Sequence, residues 1–266
     1  MKNTAFYIAQ RYLIAKKGST AVTFITWLAA IAMMVAVAAM FIIISVFSGL
    51  EDLNRDMIAN LHADLTLKSS TGKTIPDITK TVDILKKNSN ISSFSKTIEE
   101  KVYISYGDNG DIATLRGVDS AYISVNPINK DIFYGTYPSF QYSNEVLMEN
   151  MLNNRLSIPV GGNADHATVL MPKSGTGIIN KEEDIFNKKE IFVTGIFPGN
   201  GQLDNTIISP IELLQELLNL PKNSAYEIVI KLKNPENADS VKENLQNQLG
   251  KNFTITTKKE ENAAFW

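Results

Sequence analysis

The sequence predicts an α+β protein with one N-terminal transmembrane helix, a helical stalk and one large domain beyond it. Three observations lead to this fold class. A long apolar run stands near the N-terminus, alternating apolar and polar residues follow it, and two strand–helix–strand patterns lie at opposite ends of the remaining chain. The 266 residues are enough for one membrane anchor and one or two compact domains.

The composition excludes several classes of function. The formal net charge is -2 and the chain contains no cysteine. A nucleic-acid-binding domain would need a basic surface, so nucleic acid is not expected among the partners. Without cysteine there is no disulfide, no thiol nucleophile and no cysteine-based zinc site.

The apolar run extends from Ala21 to Phe47 without a charged residue. A helix of about 26 residues spans about 39 Å, which exceeds the ~30 Å hydrocarbon core of a bilayer. A cleaved signal peptide would have an apolar segment of only about 7–15 residues and a small-residue cleavage site behind it. We therefore predict a transmembrane helix at 21–47 that is retained.

The charges on either side of this helix predict its orientation. Four basic residues precede it, whereas Arg55 is the only basic residue between its end and residue 67. The positive-inside rule then places the N-terminus in the cytoplasm and the main domain in the periplasm, with the chain in the inner (plasma) membrane. The basic residues are Lys2, Arg11, Lys16 and Lys17.

The segment before the helix and one face of the helix suggest contacts with the membrane and with another helix. Residues 1–20 have apolar residues at helical spacing, which fits a cytoplasmic amphipathic helix on the membrane surface; an ordinary basic anchor flank fits as well. Small residues recur within the span and would let a second helix approach closely, although alanine is common in such helices. They are Ala29, Ala32, Ala36 and Ala39.

The chain after the membrane helix divides into a stalk and two subdomains. Residues 48–62 keep a helical spacing of apolar residues, which predicts a stalk ending near His62. The segments 63–117 and 222–260 each predict a strand, a helix and a further strand, which favours a split ferredoxin-like layer. The more turn-rich segment 118–221 predicts an inserted, mostly-β subdomain.

Three local signals give further detail. Asn109-Gly110 predicts the turn of a hairpin between two strands. Ser209 and Glu212 predict a capping box at the start of a helix. A long polar loop, Lys173–Lys189, is predicted to join two strands.

No catalytic constellation is present in the sequence. There is no G-x-x-x-x-G-K-[ST] phosphate loop, no G-x-S-x-G elbow and no H-E-x-x-H pattern around the two histidines, His62 and His166. The acidic residues at 108–111 and 182–184 are explained by a hairpin tip and a solvated loop. We therefore expect no enzyme activity, no metal site and no cofactor in this chain.

Motifs along the chain resemble one family. Near the N-terminus stand a Y-x-x-x-R-Y-L motif and, after the helix, an S-V-x-x-G-x-E motif. These residues are Tyr7, Arg11, Tyr12 and Leu13, then Ser45, Val46, Gly49 and Glu51. LRGVD at 115–119, VTGIF at 193–197 and the closing FTITTKKEENAAFW follow in order. Their order and spacing resemble the lipoprotein-releasing ABC transporter permeases (LolC/LolE type) of the MacB/FtsX-like permease superfamily.

The resemblance implies a permease subunit of an ABC transporter, whose large periplasmic domain follows the first of four membrane helices. It implies a separate cytoplasmic ABC ATPase, a second permease in a homo- or heterodimer, and membrane lipid around the helices. Motion driven by ATP hydrolysis would help the periplasmic domain move lipoprotein or other cargo from the inner membrane. In the lipoprotein system the receiving partner is a periplasmic chaperone.

The resemblance also implies one contact site. One permease of the pair contacts the chaperone through a protruding hairpin, and the corresponding segment here is the loop Lys173–Lys189. Its apolar candidates are Ile178, Ile179 and Phe186. A solvated hairpin without a partner remains an open alternative.

The sequence leaves two main classes of function. It stops at Trp266, where the family enters its second membrane helix, so 261–266 is expected to lead into that helix and the chain to be a fragment or a truncated relative. The leading interpretation is the N-terminal portion of a permease that works by protein contact. The alternative is a stand-alone, single-pass anchored periplasmic domain that binds a ligand or partner, as sensors do. An anchored hydrolase is disfavoured by the missing motifs.

Overall fold

The protein consists of two compact units, Met1–Met57 and Ile58–Trp266. The described residues of the first unit are helical, and those of the second form a mixed structure with ten strands, which confirms the predicted α+β class. The computed structural model describes residues 4, 7–8, 11, 20–59, 63–161, 165–173, 185–199 and 203–263.

The helix α1 spans Thr20–Ala59. Within it, Thr23–Leu50 is long and apolar enough to cross a membrane, with a mean hydropathy of 2.8 and no side chain buried in protein. The helix continues past the apolar segment, as the predicted stalk requires, and the predicted end near His62 lies outside the described residues. Of the predicted amphipathic segment, Thr4, Tyr7, Ile8 and Arg11 are described and helical.

After residue 62, the described residues of the second unit form strands, six further helices and two short 3-10 turns. In chain order these elements are β1 (Leu65–Ser69), α2 (Ile78–Lys87), β2 (Ile91–Tyr106), β3 (Asn109–Val118), α3 (Tyr122–Val125), a 3-10 turn (Ile128–Lys130), β4 (Tyr134–Gly135), β5 (Glu145–Glu149), α4 (Asn150–Leu156), β6 (Ala167–Pro172), β7 (Phe186–Phe197), β8 (Thr206–Pro210), α5 (Ile211–Leu217), β9 (Glu227–Leu232), a 3-10 turn (Pro235–Asn237), α6 (Ala238–Leu249), β10 (Phe253–Thr257) and α7 (Lys258–Ala263).

One part of this unit is the predicted ferredoxin-like layer. Its strands stand in the order β10-β1-β9-β2 and are all antiparallel to their neighbours. Alternate residues such as Leu65 and Ile230 point to one face, where they pack against Leu85 of α2 and Leu245 of α6. The two strand–helix–strand patterns read from the sequence therefore meet in one sheet.

The other part is a sheet that closes on itself in the order β2-β3-β8-β5-β7-β6 and back to β2. The closure depends on the length of β2, whose first residues pair with β9 and whose residues Tyr103–Ser105 pair with β6. The closed sheet thus begins within β2, whereas the sequence predicts that the inserted subdomain begins at residue 118. A strand that is shared by two sheets keeps one alternation of side chains along its length, so its sequence does not mark where the second sheet begins.

Two apolar clusters lie on opposite faces of β5 and β8, and both strands are buried along their whole length. Met148 and Ile207 face the interior of the closed sheet, where they pack with Leu115. Leu147 and Ile208 are opposite each other and face a second cluster, which also contains Val229 of β9. This second cluster joins the closed sheet to the back of the ferredoxin-like layer.

Two local predictions were wrong. The hairpin turn consists of Gly107 and Asp108, because Tyr106 pairs with Asn109 and Asn109 already belongs to β3. Gly107 has a φ of 55°, a conformation that glycine adopts without strain. The predicted capping box is also absent, because Ser209 is a buried residue of β8 whose Oγ donates to the Pro210 carbonyl, and α5 has no side-chain cap.

Candidate functional site

The described residues provide no metal-binding group, since nowhere do three or more His, Cys, Asp or Glu side chains come together. His166 lies edge-on to Phe192, with ring centroids 5.9 Å apart, which is a packing role. His62 lies outside the described residues. The features that bear on function are therefore surfaces and chain connections, and two of them stand out.

The first feature is the hairpin formed by β6 and β7. Its register runs from Ala167 opposite Ile191 to Pro172 opposite Phe186. The predicted loop Lys173–Lys189 is consequently shorter than expected, because residues 186–189 are the beginning of β7. Their composition is polar, but the backbone of β6 supplies hydrogen-bonding partners that hold them extended.

One of the three predicted contact residues of this hairpin lies among the described residues. Phe186 is the first residue of β7 and is half-buried. Ile178 and Ile179 lie outside the described residues. The hairpin is present, and its use as a contact site stays a prediction.

The second feature is the place where the chain enters and leaves the domain. Leu65, the first residue of β1, is opposite Thr257, the last residue of β10. The Lys258 backbone N–H donates to the Asp64 carbonyl at 3.2 Å. The two connections therefore lie side by side on neighbouring strands, and we call this place the base of the domain.

Asp64 ties the base to the strand next to β1. Its carboxylate is buried, and Oδ2 accepts the Leu232 backbone N–H at 2.7 Å. Lys231 Nζ lies 3.7 Å from Oδ1. A buried carboxylate needs such partners, since an unpaired one would be costly. Burial and the nearby charge of Lys231 lower the pKa of the Lys258 amine, and Asp64 opposes this shift.

Glu260 fixes the chain that leaves the base. The Thr257 N–H donates to Glu260 Oε2 at 2.9 Å and the Glu260 N–H donates to Thr257 Oγ1 at 3.3 Å, which is a reciprocal capping box. Lys242 Nζ of α6 donates to both Glu260 oxygens at 2.6 and 2.7 Å. The Lys242 bond, followed by the Thr257 N–H bond, holds the pKa of the Glu260 carboxyl below its usual value.

The residues of the base were missed by sequence reasoning, although one signal was present. Thr257-x-x-Glu260 has the T-x-x-E spacing of a capping box and stands inside the closing motif FTITTKKEENAAFW. Asp64 could not have been found, because its partners, Lys231 and Leu232, are far from it in the sequence.

The predicted helix-packing face lies on α1. Ala29, Ala32, Ala36 and Ala39 are all helical and exposed. Their spacing places them on one side of the helix, and the role of that side as a contact for a second helix stays a prediction.

Two solved structures of other proteins have a similar architecture. The periplasmic region of MacB from Actinobacillus actinomycetemcomitans aligns over 78% of this chain and 95% of its own, with a TM-score of 0.55 and 16% identity. The extracellular domain of the noncanonic ABC-type transporter YknZ from Gram-positive bacteria aligns over 73% and 99%, with a TM-score of 0.51 and 11% identity. At such identities these two likenesses show the fold alone. No curated protein matches the chain.

A family match extends over most of the sequence. Residues 26–248 match the MacB-like periplasmic core domain, so the match begins within α1 and includes nearly the whole second unit. The chain belongs to the MacB-like periplasmic core domain family, which is found in ABC transporter permease-type proteins.

Proposed function

We propose that this chain is the N-terminal portion of an ABC transporter permease of the lipoprotein-releasing type, which passes the motion of a cytoplasmic ATPase to its periplasmic domain. The observation that carries the proposal is the pairing of Leu65 with Thr257 at the base. A domain whose two connections lie on adjacent strands can receive the movement of two membrane segments at one place.

The contacts at the base support this transmission. β1 lies inside the ferredoxin-like layer, between β10 and β9, so a displacement of its first residue reaches the centre of that sheet. Glu260 connects α7 to Lys242 of α6, so a displacement of the chain after β10 reaches the helical layer as well. A rigid attachment of this kind is needed if motion is to be passed on without local unfolding.

The proposed setting follows from the sequence. α1 crosses the inner membrane with the N-terminus in the cytoplasm, because the basic residues precede the apolar segment. A second permease packs against the alanine face of α1, and a separate subunit hydrolyses ATP. The absence of a phosphate loop from the sequence agrees with this division of labour.

The proposed cargo is lipoprotein, handed to a periplasmic chaperone at the β6–β7 hairpin. Support comes from the motifs at both ends of the chain that resemble lipoprotein-releasing permeases. The half-buried Phe186 at the foot of the hairpin provides an apolar contact there.

A reconstitution tests the proposal. The complete permease and its ATPase are placed in proteoliposomes with a triacylated lipoprotein, and ATP-dependent transfer to the soluble chaperone is measured. Glu260→Lys should reduce the transfer while ATP hydrolysis continues, because like charges then face each other at Lys242. Lys259→Gln, an exposed neighbour, is the matched control. Wild-type complex that hydrolyses ATP but releases no lipoprotein would refute the proposed cargo.

A further inference from the structure

A row of apolar side chains crosses the outer surface of the closed sheet. Ile112 on β3 is opposite Tyr103 on β2, and Tyr103 is opposite Leu170 on β6. Tyr103 and Leu170 each lie between two residues that are buried in the interior, such as Val102 and Val169, so they point outward, and Ile112 shares their face. Ile112 is 63% exposed and Tyr103 is 46% exposed.

This row continues to the hairpin. Pro172 lies two residues beyond Leu170 on the same face of β6, and it is opposite Phe186 on β7. The outward face therefore has an apolar path from the middle of the sheet to the foot of the hairpin. We call it the outer strip, and it comprises Ile112, Tyr103, Leu170, Pro172 and Phe186.

The Tyr103 side chain lies over Gly110 of β3, which has no side chain of its own. A Cβ at Gly110 of β3 would lie 1.8 Å from the Tyr103 hydroxyl oxygen, so the ring occupies the place of that side chain. A tyrosine side chain has only two χ angles, so it offers a broad contact surface and loses little conformational entropy when a partner covers it.

The edges of the outer strip carry positive charge. Lys188 is opposite Leu170 and Lys101 is two residues from Tyr103 on the same face of β2, and both are exposed. Within the described part of the chain neither forms an ion pair. Glu190 is the exposed carboxylate on the same face of β7. An apolar centre with a charged border is the usual anatomy of a protein–protein interface.

We propose that the outer strip docks a folded protein whose apolar contact surface is bordered by carboxylates. This inference rests on the proposed function, because the strip leads to the hairpin and the docked protein is then the periplasmic chaperone. The apolar residues hold the complex together, and the two lysines orient the approaching acidic border. The hairpin alone would provide a narrow contact, whereas the strip extends it across four strands of the sheet.

The test measures binding of the purified chaperone to the complete permease–ATPase complex in lipid nanodiscs. Ile112→Glu and Tyr103→Ser should each weaken the equilibrium affinity at least about tenfold, because each removes apolar contact surface from the outer strip. Lys101→Glu with Lys188→Glu should slow association at low salt and have a smaller effect at high salt, because salt screens exposed charges.

Matched controls are available in the segment around β4. Phe133→Glu and Tyr142→Ser change side chains that are 60% and 62% exposed. β4 pairs with residues 195–196 of β7, about 30 Å along the strand from Phe186 at about 3.3 Å per residue. These variants should bind the chaperone like the wild type.

Failure of the inference differs from failure of the proposed function. If Ile178→Asp with Ile179→Asp abolishes binding while the outer-strip variants bind normally, the inference is overturned and the hairpin contact stands. If the wild-type complex does not bind the chaperone, both are overturned. Thermal unfolding of each variant establishes that a loss of binding is not a loss of fold.

Discussion

Leu65 and Thr257 are opposite each other in neighbouring antiparallel strands, so the first residue of β1 lies beside the last residue of β10. The residues on either side of this pair complete the connection: Lys258 donates to the Asp64 carbonyl, and Glu260 caps the helix that follows. The base therefore brings together residues that stand at the two ends of the domain in the sequence. The contribution of these contacts to the free energy of unfolding can be measured directly.

The capping box at the base is expected to stabilise the domain. Replacing Thr257 by Ala removes the acceptor for the Glu260 N–H, and we expect the free energy of unfolding to fall by about 1 kcal/mol. Urea unfolding, monitored by far-ultraviolet circular dichroism, measures the change in this free energy. Thr254→Ala, on the exposed side of the same strand, should cost less. Equal losses in the two variants would refute a special role for the cap.

The Glu260 carboxyl should make stability depend on pH. Its pKa is lowered in the folded protein by the Lys242 bond, so near and below the usual value of 4.5 the unfolded state binds more protons than the folded state. The stabilisation of the folded state by the ionised Glu260 carboxylate is therefore fully present above about pH 4.5, and it is lost as the pH falls through the pKa of the folded state. The difference in unfolding free energy between wild type and Glu260→Gln should shrink on acidification over this range. A difference independent of pH would contradict the assignment.

Two apolar residues of β3 should respond differently to truncation. Leu115 is fully buried inside the closed sheet, and Leu115→Ala is expected to cost about 2–5 kcal/mol, because it leaves a cavity. Ile112 is exposed on the outer strip, and Ile112→Ala should change stability by no more than about 0.5 kcal/mol. Denaturant unfolding of both variants measures the difference. Similar losses would place Ile112 in a core, not on a surface.

Two glycines should differ in their tolerance of a methyl group. A Cβ at Gly195 would lie 2.6 Å from the Thr136 carbonyl oxygen, which is backbone, so Gly195→Ala must displace β4 and should cost about 1–3 kcal/mol. A Cβ at Gly110 meets the end of the Tyr103 side chain, which can turn away. Gly110→Ala should therefore be milder, and chaperone affinity should fall more than stability does. Thermal unfolding together with the binding measurement checks the pair.

Several parts of the fold were predictable because their signals are local. The alternation in β9 and β10, the apolar face of α6 and the length of the apolar segment in α1 depend only on neighbouring residues. The candidate site was predictable only in part. The family resemblance predicts Phe186 as a contact residue, whereas no sequence pattern marks Tyr103 or Ile112, since an outward-facing apolar residue of a strand has the same pattern as an inward-facing one.

The errors of sequence reasoning have one physical cause. Asn109-Gly110 is a strong turn signal, but the pairing of β2 with β3 places the turn at Gly107-Asp108. Residues 186–189 are polar and resemble a loop, but hydrogen bonding to β6 makes them a strand. In each case pairing with a neighbouring strand overrode the preference of the local residues.

Local sequence patterns were sufficient to predict the long apolar helix, most of the strands and helices, and the resemblance of this chain to a permease-type family. These follow from periodicity and motif order, which need no knowledge of distant contacts. Three features depend on tertiary contacts: the closure of the sheet through the long strand β2, the pairing of Leu65 with Thr257, and the outer strip. Strand register and pairing set these features, and they depend on which distant residues bury each other and satisfy each other's backbone hydrogen bonds.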